Sequence, residues 1–368
     1  MKLTLATQKG WLLPVFCLIQ CLAFGQDSLN GPPLYAAIKM HYGFYMANKP
    51  KSVYLRDSYS TFGEISVGIQ TRGSAWWQQA NGYPRAGIAA FYGNTGSRQY
   101  IGHMAGLFPY VNFPLLRTRP LRVGFRLGTG IAWVEKPFDV ENNPKNLMLS
   151  THINACISML LEAEVNIAQH IAVNGGLSFT HISNGLYQMP NLGLNMPALS
   201  LGVRYSIGKP VAYQKQLPPV INHSLHWQVF AATAVKQGNW LLSRHYVLGI
   251  INAEAMFTKK RGNEWGLGLM VTYDPSLSKE IANAPVLTHD NSKPKYQAGI
   301  YGTYEHNLGR VSIPLQLGAY LYNQYSINPL FQVIGVRYAI NKHWKAAFQL
   351  KTHLGKADHI DWGIGYRF

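Results

Sequence analysis

The sequence predicts an all-β protein, a transmembrane antiparallel β-barrel with about sixteen strands. Many stretches alternate apolar residues with polar or small ones, and such a period of two is typical of strands that have two different faces. The chain has 35 Gly and 22 Tyr but only 13% charged residues, and aromatic residues near strand ends are typical of membrane barrels. Beyond the N-terminus, no apolar run approaches the length of a transmembrane helix. Any membrane crossing must therefore use strands.

Residues 1–25 predict a signal peptide. Lys2 and Lys9 give the segment a positive start, and the apolar stretch 11–24 is too short to span a bilayer. Gly25 supplies a small residue for cleavage. We therefore expect the chain to be exported and to reside in the bacterial outer membrane.

Alternation and turn residues place two groups of eight strands along the chain. The first group is expected at 35–46, 61–73, 84–94, 98–110, 121–134, 149–167, 170–184 and 197–208. The second is expected at 224–236, 246–258, 263–274, 296–307, 309–323, 331–341, 343–355 and 360–368. We expect one barrel half at 26–208, a proline-containing linker at 209–223 and a second half at 224–368. Alternation does not determine whether the strands close as one large barrel or as two small ones. Closure itself is needed, because a free strand edge would leave backbone groups without hydrogen bonds in hydrocarbon.

The last predicted strand resembles the C-terminal signal for barrel assembly in bacterial outer membranes. Ile360, Trp362, Ile364 and Tyr366 alternate with polar or small residues, and the chain ends in Phe368. A closing strand that ends in Phe is similar to the signal by which bacterial outer-membrane barrels are recognised. We therefore expect the outer-membrane barrel assembly machinery to be a partner.

The net charge of +17 has two interpretations. Nucleic acid is the usual partner of a strongly basic protein, but the chain is expected to be exported and contains no helix-turn-helix, finger or ribonucleoprotein motif. Attraction to an anionic lipid surface with phosphate headgroups fits better. The 13 histidines show no metal-site spacing. We therefore expect no nucleic acid, no metal and no cofactor.

The candidate site lies at the end of the seventh predicted strand. His181 and Ser183 are two positions apart, so their side chains point the same way. The residues of the same parity before them are mostly apolar: Ile171, Val173, Leu177 and Phe179. An imidazole base beside a hydroxyl is the minimal pair for nucleophilic hydrolysis, and with a periplasmic N-terminus this strand end lies at the outer leaflet. The alternative is that both groups sit just above the hydrocarbon and contact only headgroups or water.

The residues around this pair form a longer pattern: His181, Ser183 and Asn184, then Pro190, Asn191 and Gly193. This pattern resembles that of the outer-membrane lipid A 3-O-deacylases, the PagL-like family. The resemblance covers roughly the first half of the chain and is strongest over 170–208. It implies an esterase that removes an ester-linked acyl chain from lipid A or lipopolysaccharide in the outer leaflet.

The resemblance also implies a role for each site residue. Ser183 would be the nucleophile and His181 the general base. Asn191 and backbone amides such as that of Gly185 would stabilise the oxyanion, with Asn184 as a supporting residue.

One position departs from the family pattern, because Asn195 stands where the family has the acidic member of its triad. An asparagine can orient the imidazole but contributes no charge to the imidazolium that forms. Two hypotheses therefore stay open. The protein is either a lipid A deacylase-like ester hydrolase, or a non-catalytic porin-like or structural barrel that retains a lapsed deacylase scaffold.

Overall fold

The computed structural model describes residues 33–47, 50–118, 120–207, 213–215, 217, 225–238, 244–259, 262–277, 295–323 and 328–368. The predicted signal peptide and most of the predicted linker lie outside these ranges. Within them the chain forms sixteen antiparallel strands arranged as two closed barrels of eight. The prediction of an all-β barrel is confirmed, and the open question of closure is answered by two small barrels.

The first barrel consists of strands that pair in chain order. Its strands are β1 (Leu34–Gly43), β2 (Ser60–Gln70), β3 (Arg85–Asn94), β4 (His103–Arg117), β5 (Leu121–Val134), β6 (Ile153–Asn166), β7 (Ile171–Ser183) and β8 (Leu194–Ile207). Strand β1 also pairs with β8, with Leu34 opposite Ile207. The eight-stranded sheet therefore closes on itself and leaves no free edge.

The second barrel repeats this arrangement. Its strands are β9 (Leu225–Gln237), β10 (His245–Thr258), β11 (Glu264–Tyr273), β12 (Tyr296–Leu308), β13 (Val311–Tyr322), β14 (Leu330–Ala339), β15 (Trp344–His353) and β16 (Lys356–Arg367). Strand β16 closes onto β9, with Tyr366 opposite Val229. The alternating C-terminal segment therefore forms the closing strand of this barrel.

The strands point their apolar side chains outward and their polar side chains inward, which is the reverse of a water-soluble protein. On β2, the side chains of Ile65 and Val67 are 64% and 62% exposed, whereas those of Glu64 and Ser66 are buried. Hydrocarbon solvates the apolar outer face, and the polar inner face satisfies its hydrogen bonds within the lumen. The period of two in the sequence therefore corresponds to the two faces of the barrel wall.

Buried charges fill both lumens. In the first barrel, Arg126 donates hydrogen bonds of 2.6 Å to both carboxylate oxygens of Glu64. In the second, Arg337 lies 2.7 Å from Glu254 and 2.8 Å from Glu305. Eight strands enclose an interior just wide enough for side chains to fill, and charges buried there need partners. The two interiors are therefore packed with ion pairs.

The predicted bounds of the fourth strand, 98–110, are wrong. Residues 95–102 form a turn in which the backbone N–H groups of Ile101 and Gly102 both donate to the carbonyl of Ser97. The strand begins after this turn and runs past Pro114, where a register shift marks a bulge. A bulge accommodates a residue that cannot donate to the ladder, so the proline does not end the strand.

Two short helical segments lie in the loops and were not predicted. They are a 3-10 helix at Pro50–Leu55 and an α-helix, α1, at Trp76–Ala80. Over the described ranges, no helix is both long enough and apolar enough to cross a membrane.

The two barrels lie side by side. Near one end, the backbone N–H of Gln237, the last residue of β9, donates to the carbonyl of Leu186 over 3.0 Å. Toward the other end, the rings of Phe113 and His306 contact each other with centroids 5.8 Å apart. The outward faces of the two walls approach each other between these points.

Candidate active site

Strand β7 presents the candidate pair on its outward face. Leu177, which has the same parity, is 61% exposed, whereas Thr180 and Ile182 are buried on the lumen side. His181 is half-buried, and Ser183 is only 8% exposed. The pair therefore belongs to the exterior wall, and the serine is covered although it faces away from the lumen.

Neighbouring strands fix the surroundings of the imidazole. Residue Asn195 on β8 lies directly opposite His181, and the Nδ1 atom of His181 lies 2.6 Å from Oδ1 of Asn195. Because an amide oxygen only accepts hydrogen bonds, this contact assigns the imidazole proton to Nδ1. The Nε2 atom then keeps a lone pair with which to accept a proton.

Two N–H groups converge on the serine oxygen. The side-chain Nδ2 of Asn191 donates to Ser183 Oγ over 2.9 Å, and the backbone N–H of Gly185 donates over 3.2 Å. The other end of the Asn191 amide accepts the backbone N–H of Asn184 over 3.3 Å, which fixes its orientation. Because these two donors occupy acceptor positions of the hydroxyl, its O–H remains available to donate.

The structure forms these contacts as two separate groups. Ser183 bonds to Asn191 and Gly185, and His181 bonds to Asn195, but within the described part of the chain no hydrogen bond joins Ser183 to His181. Such contacts are often long in the absence of substrate and tighten when it binds. The arrangement offers a base of the right tautomer and two N–H donors beside the serine oxygen.

The turn after β7 depends on a glycine. Gly185 has a φ of +62°, and a Cβ atom built there would lie 2.4 Å from Cγ1 of Ile360 in the second barrel. Leu186 follows with a φ of +64°, a conformation that is unfavourable for a residue with a side chain. The chain therefore reverses sharply here and aims the Gly185 amide at the serine.

The loop between β5 and β6 supports the site loop. The backbone N–H of Gly193 donates to the carbonyl of Met148 over 3.0 Å. The side chain of Asn184 points away from Ser183 and donates to Ser150 Oγ over 3.1 Å and to the carbonyl of Gln188 over 2.9 Å. Asn184 therefore holds the loop in shape, while its backbone N–H orients Asn191.

The second barrel also holds the site loop, through a residue that sequence reasoning missed. The buried side chain of Gln237 accepts the backbone N–H of Met189 over 2.7 Å, and its own backbone N–H donates to Leu186. The sequence around His181 and Ser183 contains nothing that indicates Gln237, because this residue lies on a strand of the second barrel. Among the described residues, no group of three or more His, Cys, Asp or Glu side chains is placed to hold a metal ion.

Two family models match the chain. Residues 63–204 match the model described as lipid A 3-O-deacylase (PagL), and residues 224–368 match the model described as acyloxyacyl hydrolase, C-terminal domain. The chain belongs to the PagL family. This family assignment indicates an outer-membrane lipid A deacylase. No curated protein matches the PagL-family chain in sequence.

Solved structures resemble the PagL-family chain only weakly. Neisserial surface protein A shares 12% identity with a TM-score of 0.32, and the alignment covers 47% of this chain and 96% of that one. A triple-mutant porin of Rhodopseudomonas blastica has 9% identity and a TM-score of 0.18, with coverages of 91% and 99%. The siderophore receptor PirA from Acinetobacter baumannii has 7% identity and a TM-score of 0.21, with coverages of 88% and 44%. The two-barrel architecture therefore rests on the strand pairing of the chain itself.

Proposed function

We propose that this protein is an outer-membrane esterase that removes an ester-linked acyl chain from lipid A, with Ser183 as nucleophile and His181 as general base. The observation that supports this most is the placement of Ser183 on the lipid-facing side of β7. Its oxygen there accepts hydrogen bonds from Asn191 and Gly185. Polar side chains on a membrane-facing wall cost free energy, so a cluster of them there favours a functional role.

The mechanism uses each of these groups in turn. The Nε2 atom of His181 takes the hydroxyl proton as Ser183 Oγ attacks the ester carbonyl. The oxyanion that forms accepts hydrogen bonds from the Asn191 side chain and the Gly185 amide. The imidazolium returns its proton to the departing sugar oxygen, which leaves an acyl-enzyme. Water, deprotonated by the same imidazole, then attacks the acyl carbonyl. The imidazolium returns this proton to Ser183 Oγ as the bond from Oγ to the acyl carbon breaks, which releases a fatty acid and restores the free serine.

Asn195 orients the imidazole of His181, as the acidic member of a triad would. Its Oδ1 atom accepts the Nδ1 proton of His181 and so keeps the tautomer that leaves Nε2 free. It supplies no negative charge for the imidazolium. We therefore propose an active enzyme that turns over more slowly than one with a carboxylate at this position.

The polar end of the substrate fits the loops beside the site. We propose that the end of the barrel that carries Ser183 faces the cell exterior, where Arg98, Lys136 and Lys145 are exposed on the loops. These cations would bind the phosphate groups of lipid A through charge-assisted hydrogen bonds. The same topology requires export by the predicted signal peptide and insertion by the barrel assembly machinery.

The alternative function is a non-catalytic barrel that retains a lapsed scaffold. A porin-like role is disfavoured by the ion pairs that fill both lumens, since the Arg126 and Arg337 side chains are fully buried within them. A structural barrel without turnover differs from the enzyme only in its chemistry, and an activity measurement separates the two.

The test compares lipid A from cells that produce the wild-type protein, Ser183→Ala or Ser178→Ala. Ser178 lies on the lumen face of the same strand and serves as a matched control. Mass spectrometry should show loss of one ester-linked chain with the wild type and with Ser178→Ala, and none with Ser183→Ala. Heat-modifiable gel mobility should show that all three proteins, the wild type and both variants, assemble as folded barrels. Unchanged deacylation by assembled Ser183→Ala would rule out the mechanism, and no deacylation by the wild type would favour the lapsed scaffold.

A further inference from the structure

An apolar cavity of about 130 Å³ lies between the two barrels. Both walls contribute outward-facing side chains to it. The first barrel provides Leu127, Ala155 and Ile157, and the second provides Val336, Leu350 and Ile360. The faces of the two barrels that meet here would each face bulk lipid if the other barrel were absent.

The cavity borders the candidate active site, although the site residues themselves are not part of its lining. On β6, Ala155 lies directly opposite Ser183, and Ile157 lies directly opposite His181. From the second barrel, Ile360 packs against Gly185, whose amide bonds to the serine oxygen. The lining of the cavity therefore lies one strand away from the proposed nucleophile and packs against the glycine that carries one proposed oxyanion donor.

The lining of the cavity selects for a linear hydrocarbon chain. The exposed lining is almost entirely apolar, so an occupant with hydrogen-bonding groups along its length would lose them without replacement. Lipid tails are as apolar as this lining, so the cavity supplies little net attraction beyond that of the bilayer. What it adds is a fixed path with two walls, which orients a chain and restricts its length.

We propose that the second barrel forms one wall of an acyl-chain site between the barrels, and that this site receives the chain whose ester bond Ser183 cleaves. This inference rests on the proposed function and assigns a role to the C-terminal half of the protein. The ester carbonyl lies at Ser183, and the methyl end of the chain lies between the two walls. The extent of the space between the walls, measured from Ser183, then limits the length of the acyl chain that can be cleaved.

Chain-length preference provides the first test. Val336→Trp narrows the cavity from the second barrel, and Leu267→Trp is the matched control on β11, whose side chain is exposed away from the cavity. The purified full-length proteins are assayed in micelles with p-nitrophenyl butyrate and p-nitrophenyl palmitate. Val336→Trp should lower kcat/KM for the palmitate about tenfold or more and leave that for the butyrate unchanged. Equal rates with wild type on both esters, or the same loss in Leu267→Trp, would overturn the inference.

A second measurement does not depend on hydrolysis. Palmitic acid with a terminal diazirine is photocrosslinked to Ser183→Ala protein, with and without the additional change Val336→Trp. The crosslinks should fall on the peptides that contain Leu127 and Val336, and the added tryptophan should remove them. Crosslinks spread evenly over the outer walls would overturn the inference. Crosslinks in the cavity without any ester hydrolysis by the wild type would instead sustain the acyl site and refute the proposed function.

Discussion

Asn191 offers the sharpest test of the oxyanion site. Its Nδ2 atom lies 2.9 Å from Ser183 Oγ, and its Oδ1 atom is held by the backbone N–H of Asn184. The Asn191 amide is therefore held in one orientation beside the serine oxygen before the substrate arrives. Removing one preorganised oxyanion donor typically lowers kcat by about 10²–10³, or about 2.7–4 kcal/mol, and we expect Asn191→Ala to do the same.

The structural effect of this change should be much smaller than its effect on the rate. Asn191→Ala removes two hydrogen bonds from a partly buried loop, and each contributes about 1 kcal/mol to stability. The eight strands of the first barrel keep all their pairings. Asn191→Asp retains an acceptor for the Asn184 N–H, but it replaces the donor with a negative charge. Its kcat should therefore be no higher than that of Asn191→Ala.

The assay measures initial rates of ester hydrolysis by purified protein in micelles. Asn142→Ala is the control, because the backbone and side chain of Asn142 both donate to Asp139 within their own exposed loop. It should retain the wild-type rate. A kcat for Asn191→Ala within about threefold of wild type, in an intact barrel, is too small for a lost oxyanion donor and would refute the assignment.

Three further changes test other parts of the account. Asn195→Glu should raise kcat about fivefold, because a charged hydrogen-bond partner contributes about 1 kcal/mol more than a neutral one; an unchanged or lower kcat would contradict the role given to this position. Gln237→Ala leaves the Met189 N–H without its acceptor, at about 1–3 kcal/mol, and should lower esterase activity while gel mobility shows an assembled barrel; full activity would show that the second barrel does not hold the site loop. Arg126→Met leaves the carboxylate of Glu64 buried without its guanidinium partner and with His41 Nε2 at 3.6 Å, so urea unfolding in micelles should show a loss of about 3–5 kcal/mol; a loss below about 1 kcal/mol would mean that the pair is not desolvated as the structure shows.

The local features of the fold could be predicted from the sequence, and its closure could not. Alternation identifies strands such as β7, because each side chain in a membrane barrel meets either lipid or the polar lumen. Closure depends on the pairings of β1 with β8 and of β16 with β9, which join residues far apart in sequence. Alternation contains no information about such partners. The fourth strand begins later than predicted because residues 95–102 form a turn held by hydrogen bonds to the carbonyl of Ser97.

The candidate site divides in the same way. The pattern around His181 and Ser183 could be found in the sequence, since it lies on one strand and the loop that follows it. The contributions of Gln237 and Ile360 could not be found, because they depend on how the second barrel packs against the first. No period within a strand determines which outer faces of two barrels meet.

The proposed mechanism requires Ser183 to be an activated nucleophile on the outer wall of the first barrel. An alkyl fluorophosphonate, which labels activated serines covalently, tests it most directly when the modified residue is located by peptide mass spectrometry. We expect a single adduct on the peptide that contains Ser183, abolished by His181→Ala and absent from Ser183→Ala. An adduct on another residue, or none in a preparation that deacylates lipid A, would contradict it.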